Sequence, residues 1–381
     1  MMTLVSKPLN TTQEPTNMQR NSYVTIDDLE ALSMGSVFLA TGGGGDPYLP
    51  MLLAKQALLE YGPVSLIAPD ELNSEDYVVA LGAVGAPTVS LELLPSIDEA
   101  GDTLREFEKH TSKKVNAIAS FEIGGGNSLL PLVAAAGAGI PMIDGDGMGR
   151  ALPEAQMMTY AIAGAKPTPA VARDYAGNTA AFSTSDTTTY ERHIRSFSMA
   201  AGGMITAAEH PMSGAFVKTA IIPHTVSFAI NLGKVLIKHR GHVQQMMPHL
   251  KACFEKSVYG QCKLLFEGKI TDKSVAIVGG YDVGELTVAG FNGEPPVTVN
   301  IKNEYLIAKQ SDKVLASVPD LIVLVDIETS EPINAERIKY GQRVAIIAVE
   351  CPAFYKSEQA LAAVSPRAFG FDFDYVALSE K

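Results

Sequence analysis

The chain has 381 residues, of which 46% are hydrophobic and 19% charged, and its formal net charge is -12 at neutral pH. This length favours two domains, and the composition excludes an intrinsically disordered protein. An excess of acids without a basic stripe argues against binding to nucleic acid or to an anionic membrane. The three cysteines, Cys253, Cys262 and Cys351, fit neither a disulfide framework nor a zinc knuckle, so we expect a cytoplasmic protein.

The N-terminal part of the sequence predicts a tail followed by two helices. Residues 1–21 are polar and lack the apolar core of a signal peptide, so we expect a disordered tail. Apolar positions at helical spacing predict a helix to about residue 40, and a second helix begins after Asp46 and Pro47. Helix, glycines and helix is not the order of a dinucleotide-binding fold, and the lysine of a phosphate-binding loop is missing. No nucleotide cofactor is therefore expected.

The remaining pattern predicts an α/β domain over residues 22–258 and a small β domain over residues 259–352. Short apolar runs at 64–68, 77–84, 115–123 and 141–143 alternate with helical patterns, which is typical of a three-layer α/β sandwich. Further helices are expected near residue 153 and from Pro248. The β-rich runs beyond residue 259, including 263–266 and 275–283, predict a mainly antiparallel barrel or sandwich. Residues 353–381 are expected to return to the α/β domain.

Three acids follow predicted strand ends, where open α/β sheets bind their ligands. Glu122, Asp144 and Asp146 are candidate catalytic groups, and Asp144 and Asp146 are also candidate ligands for a divalent metal. The alternative is that the aspartates cap a helix while Arg150 and Glu154 pair on its surface. The sequence leaves open whether His224 or Cys351 reaches this site.

Two glycine loops, TGGGGD (residues 41–46) and GGGN (residues 124–127), stand near these acids. Their exposed backbone amides are suited to a carboxylate, a phosphate or an oxyanion, although tight turns also require glycine. Asp174 and the GNT segment at residues 177–179 offer a polar wall for a substrate.

Several segments together resemble the S-methyl-thiohydantoin desulfurase family. They are TGGGGDPY (41–48), FEIGGGN (121–127), DGDGMGRALPE (144–154), GNT (177–179), NEYLIA (303–308) and PDLIVLVD (319–326). The resemblance spans residues 25–354. The family was formerly a domain of unknown function and is often encoded near hydantoinase and oxoprolinase subunits. It implies an α/β sandwich followed by a small β-barrel.

The resemblance also implies a hydrolase that acts on a small cyclic amide or thiohydantoin. Water would attack an S-methylthio-imidazolone ring, and methanethiol would leave to give a hydantoin. For such a reaction, the positions of Glu122, Asp144 and Asp146 in the sequence suggest that they supply a base or metal ligands, and the position of Arg150 suggests that it holds a substrate carboxylate. The expected substrate-binding residues are Gly43, Gly44, Gly45, Asp46, Gly125, Gly126, Asn127, Arg150, Asn178 and Thr179. The alternative is a non-catalytic ligand-binding or accessory subunit that partners a hydantoinase- or oxoprolinase-type enzyme. We expect a homodimer or a larger homo-oligomer.

Overall fold

The protein is described by a computed structural model over residues 20–92 and 95–381. Residues 1–19 of the predicted tail lie outside the described residues. The helices within the described ranges are α1 Leu29–Leu39, α2 Tyr48–Tyr61, α3 Ile97–Thr111, α4 Leu130–Ala138, α5 Thr159–Ile162, α6 Thr187–Ala200, α7 Gly214–Ala220, α8 Thr225–Lys238, α9 Val243–Phe254 and α10 Glu358–Val364. In this part of the chain, no helix has both the length and the apolar character needed to cross a bilayer.

The strands form two sheets. They are β1 Tyr23–Val24, β2 Val64–Ile67, β3 Tyr77–Gly85, β4 Ala117–Ser120, β5 Met142–Asp146, β6 Ala170–Arg173, β7 Thr179–Phe182, β8 Met204–Ser213, β9 Ile222–Pro223, β10 Cys262–Val278, β11 Tyr281–Gly290, β12 Val297–Lys302, β13 Glu304–Gln310, β14 Lys313–Ser317, β15 Leu321–Asp326 and β16 Arg343–Val349.

The first sheet is mixed, with the order β1-β2-β5-β4-β3-β8-β6-β7 and with β9 paired to β5. Strands β2, β5, β4 and β3 are parallel, whereas β8, β6 and β7 continue the sheet in antiparallel pairs. Neighbouring residues of β3 pack into different cores, since Leu81 lies with Leu104 of α3, and Ala80 lies with Ile194 of α6. The predicted mixed α/β character is confirmed, and the three-layer stacking stays a prediction.

The second sheet is antiparallel throughout, with the order β14-β13-β12-β11-β10-β16-β15, and it curls into a half-barrel. Side chains such as Leu286 and Ile346 fill its own core. Alternate residues of β15 and β16, such as Val323 and Ile347, join the core that contains α1 and α8. The two sheets therefore pack through shared helices, and this brings the start of β13 close to the end of β4.

Several predicted boundaries are wrong for physical reasons. Helix α9 begins at Val243 and contains Pro248 in its interior. The run 275–283 is not one strand, because Gly279 and Gly280 adopt positive φ angles of 60° and 84° and turn the chain between β10 and β11. In place of the helix predicted near residue 153, the chain forms a three-residue 3-10 turn, Ala155–Met157, and then the four-residue α5.

The C-terminal segment packs into the first sheet's second core. Tyr355, Ala360 and Val364 are buried there with Ile143. The domain limits at residues 258 and 352 stay predictions.

Candidate functional site

A cavity of about 140 Å³ lies where β3 and β4 of the first sheet end and β13 of the second sheet begins. This volume is well above the roughly 10–15 Å³ that one water requires by the same measure. Much of the lining is apolar, including Leu49, Leu130 and Met158. Seven acidic side chains also line it: Asp46, Glu99, Glu122, Glu154, Glu191, Glu209 and Glu304.

Glu122 is the predicted catalytic residue that lies in this cavity. It follows β4 and is only 5% exposed. The Asn127 side-chain amide donates to Glu122 Oε1 at 2.7 Å, and the Leu152 amide donates to Oε2 at 3.2 Å. Burial outweighs these hydrogen bonds and raises the pKa of Glu122 to about 8. The carboxyl is therefore mainly protonated at neutral pH.

Glu304 is another buried acid of the cavity wall, and the sequence analysis did not propose it as a site residue. It opens β13, is 2% exposed, and its Oε2 has no hydrogen-bond partner among the described residues. Burial raises the pKa of Glu304 well above its ordinary value, and the neighbouring Glu122 carboxyl adds to this effect. The available signal was an acid directly before the apolar run Tyr305 to Ala308, where a buried charge is costly.

Gly43, a predicted substrate-binding residue, makes room for Glu304. A Cβ at Gly43 would collide with Glu304 Oε1, so this glycine is needed for the close approach. Gly43 itself does not line the cavity. Its position links the first glycine loop to the acid of the second sheet.

The other glycines let two loops pack against each other. A Cβ at Gly44 would collide with the backbone of Gly124, and one at Gly125 would collide with Gly45. The Gly126 amide donates to the carbonyl oxygens of Gly44 and Gly45 at 2.9 and 3.1 Å. Gly44, Gly45 and Gly126 line the cavity, but the Gly126 amide is already used within the protein.

Asp144 and Asp146 point to structural partners, and neither lines the cavity. Asp144 Oδ1 accepts from the Ser227 amide at 2.9 Å, and Oδ2 accepts from the Ser227 hydroxyl at 2.8 Å, in the first turn of α8. His224 Nδ1 lies 3.3 Å from the same Oδ2, so His224 also contacts Asp144 and is absent from the cavity wall. These contacts stabilise the start of α8.

Asp146 fastens the loop that follows β5. Its Oδ2 accepts from the amides of Ile123, Met148 and Gly149 at 2.9, 3.0 and 2.7 Å. Among the described residues Oδ1 has no partner with hydrogen-bond geometry, although the Thr225 hydroxyl is close enough to lower the pKa. Burial is the larger influence and raises the pKa of Asp146 to about 6.

Arg150 is wholly buried and joins the two sheets. Its Nε donates to Ala151 O, one terminal nitrogen donates to Pro319 O and Asp320 O, and the other donates to the Thr41 hydroxyl and Tyr305 O. These contacts account for all five guanidinium N–H groups. Arg150 does not line the cavity, and the alternative pairing with Glu154 is wrong, because Glu154 pairs with Lys302.

Asn178 and Thr179 belong to a turn after β6, and another residue of this turn, Tyr175, faces the cavity. Asp174 accepts from the Asn178 amide at 2.8 Å and from its side chain at 2.9 Å, and Thr179 opens β7. Tyr175, which directly follows Asp174 in this turn, lines the cavity and is 60% exposed. Sequence reasoning found the turn but missed the tyrosine that it presents.

Cys351 does not line the cavity; its amide donates to Asp320, and burial raises the pKa of its thiol above the ordinary range. Within residues 20–92 and 95–381, no three histidine, cysteine, aspartate or glutamate side chains are grouped to hold a metal ion. Metal binding by Asp144 and Asp146 stays a prediction.

Two family models match this chain. The model described as S-Me-THD-like, N-terminal domain, matches residues 27–184, and the model for the C-terminal domain of the same family matches residues 184–378. The chain belongs to the S-Me-THD-like family. This confirms the resemblance to the S-methyl-thiohydantoin desulfurases. A search among curated proteins found no match.

One solved structure has a similar fold. The crystal structure of a protein from Chromobacterium violaceum is similar, with a TM-score of 0.75 and 23% sequence identity. The match covers 93% of this chain and 99% of that chain. At this identity the likeness extends to the fold alone.

Proposed function

We propose that the protein is a hydrolase that converts a small S-methylthio-substituted cyclic amide into the corresponding hydantoin and methanethiol. Glu122 and Glu304 are its acid–base pair. The observation that carries this proposal is their placement in one cavity, on opposite sheets, with the pKa of both raised. Membership of the S-Me-THD-like family supports the choice of ring.

The first step uses Glu122 as a proton donor. Its carboxyl transfers a proton to the ring nitrogen beside the carbon that bears sulfur, which leaves a cationic ring next to the Glu122 carboxylate. Protonation makes this carbon more electrophilic. A water molecule then adds to the carbon, and its released proton returns to Glu122.

The second step uses Glu304 to exchange two protons. The C–S bond of the tetrahedral centre breaks, and the sulfur takes a proton from Glu304 as methanethiol leaves. The hydroxyl proton passes to the Glu304 carboxylate while the new C=O bond forms. Both acids end protonated, and the sum is one water consumed, one hydantoin formed and one thiol released.

The apolar cavity wall assists both steps. Leu49, Leu130 and Met158 limit the water around the reacting carbon, and low polarity strengthens the interaction of a cationic ring with a carboxylate. Asn127 fixes the Glu122 carboxyl and is itself held, because its Oδ1 accepts from the Ala83 amide at 2.6 Å.

The test is turnover by the purified chain. An S-methylthio-imidazolone with an apolar ring substituent is incubated with the protein, and methanethiol is measured with a thiol reagent while the hydantoin is measured by mass spectrometry. Glu122→Gln and Glu304→Gln should each lower kcat/KM by about 10²- to 10⁴-fold.

The matched control is Glu336→Gln. Burial raises the pKa of Glu336 to about 7, but this glutamate lies outside the cavity. The control should keep wild-type kcat/KM. Absence of thiol release from the wild-type protein, or unchanged turnover in both cavity variants, would refute the proposed function.

A further inference from the structure

The acidic side chains around the cavity differ in their partners. Three of its seven acids have a cationic partner: Asp46 with Arg337, Glu154 with Lys302, and Glu191 with Arg195. The other four acids, Glu99, Glu122, Glu209 and Glu304, form no ion pair with a lysine or arginine of the described residues. The Arg150 guanidinium is nevertheless near enough to lower the pKa of Glu122 and of Glu304, although burial outweighs it. The cavity wall therefore holds more acidic than basic side chains.

Arg195 is the one arginine or lysine that lines the described cavity, and its donors are occupied. Its Nε and one terminal nitrogen contact Glu191 Oε1 at 2.9 and 2.8 Å. The remaining N–H groups reach the carbonyl oxygens of Pro153, Gly85 and Gly280 at 2.8, 3.3 and 3.4 Å. A ligand carboxylate would have to displace these contacts, and Arg150 is unavailable for the same reason.

Glu304 provides the independent sign of a ligand. A carboxyl oxygen that is buried without a partner is costly, and Glu304, a residue that lines the cavity, carries such an atom in Oε2 among the described residues. A ligand N–H group can donate to this oxygen once the Glu304 carboxyl has given up its proton. Glu209 differs, because Tyr190 donates to it at 2.6 Å and His210 Nδ1 lies 3.0 Å away.

We infer that the cavity selects a small cyclic amidine-type ligand in its cationic, N-protonated form and rejects ligands that carry a carboxylate. The N–H groups of the ligand contact Glu304 and Glu122, and an apolar ring substituent lies toward Tyr175 at the mouth. This inference rests on the proposed function for the ring that reacts, but binding alone tests it. It replaces the expectation that a substrate carboxylate is bound by Arg150.

The probes are benzamidinium, benzamide and benzoate, which share one ring and differ in charge. Their affinities are measured by isothermal titration calorimetry at pH 7.5 and physiological salt. Benzamidinium should bind at least about tenfold more tightly than benzamide, which corresponds to 1.4 kcal/mol, and benzoate should be weaker than both.

Variants show whether this preference comes from the cavity or from the overall acidic charge of the protein. Glu304→Gln should weaken benzamidinium binding by about tenfold or more, whereas Glu336→Gln should leave it unchanged; thermal unfolding verifies that both variants are folded. Binding of benzoate as tight as that of benzamidinium, absence of benzamidinium binding, or equal affinity in wild type and Glu304→Gln would overturn the inference. Loss of the proposed turnover with this preference intact would overturn the proposed function alone.

Discussion

Two groups of buried acids lie close together in this protein, and they differ in what surrounds their oxygens. Asp144 and Asp146 accept hydrogen bonds from the start of α8 and from the loop after β5, outside the cavity. Glu122 and Glu304 face the cavity from two sheets, and Glu304 Oε2 has no partner in the described residues. The comparison teaches that the acids in the most conspicuous motif hold the framework through backbone and serine donors, while the two glutamates from distant parts of the chain line the ligand space.

The largest expected effect separates the two groups by stability. Asp146→Ala leaves the amides of Ile123, Met148 and Gly149 without their acceptor, so the free energy of unfolding should fall by roughly 3 kcal/mol or more. Glu304→Met removes a buried carboxyl oxygen that lacks a partner, and should raise it by about 1 kcal/mol. Urea unfolding measures both values. Equal destabilisation by the two substitutions would break the comparison.

The pH dependence of stability provides the next test. Burial raises the pKa of Glu122 from 4.5 to about 8, so the folded protein binds more protons than the unfolded chain between these values. The contribution of Glu122 to stability should therefore be lost as pH rises from about 4.5 to 8, with a slope of up to about 1.4 kcal/mol per pH unit.

Glu122→Gln should flatten this slope, as measured by urea unfolding at several pH values from 5 to 8. Glu336→Gln provides a comparison with a group outside the cavity, whose pKa is also raised, to about 7. An identical slope in wild type and Glu122→Gln would show that Glu122 is ionised throughout this range.

Turnover should decline as pH rises through about 8, because the proposed mechanism uses protonated Glu122. The measurement is kcat/KM against pH for wild type and Asn127→Ala. Loss of the Asn127 amide removes a hydrogen bond that lowers the pKa of Glu122, so the decline should move to higher pH. A shift to lower pH would contradict this account of the acid.

The smallest effect is expected at the mouth. Tyr175→Ala removes an exposed aromatic surface that lines the cavity, so KM for a substrate with an apolar substituent should rise about three- to tenfold, with little change in kcat. Tyr340→Ala is the control, because Tyr340 is also exposed and lies outside the cavity. A loss confined to kcat would assign Tyr175 a different role.

Local sequence signals predicted much of the framework. The glycines after α1, the cap before α2 and the alternating apolar runs correctly located the first helices and the parallel strands β2, β3 and β4. The long strand β10 was divided in the prediction because its central part, residues 267–274, is mostly polar and lacks a regular alternation of apolar residues. Strand β7 was missed because it has only four residues and directly follows the turn residues Gly177 and Asn178.

The site was only partly predictable, because its second acid comes from a distant part of the chain. Glu122 was found from its place after a strand, and Asn127 from its glycine loop. Glu304 lies 182 residues after Glu122 in the sequence, and only packing between the two sheets brings them together. Asp144, Asp146 and Arg150 have the residue types of a ligand site, but tertiary contacts occupy their polar groups.

The most direct test of the central claim is infrared difference spectroscopy of the carboxyl groups at pH 7. Wild type minus Glu304→Gln should show a protonated-carboxyl band in the empty protein, and this band should diminish when benzamidinium binds and favours the ionised form. Glu336→Gln serves as the reference for a glutamate outside the cavity whose pKa is also raised, to about 7. A difference spectrum that shows only ionised carboxylate at Glu304, with no change on adding benzamidinium, would contradict the proposed acid pair.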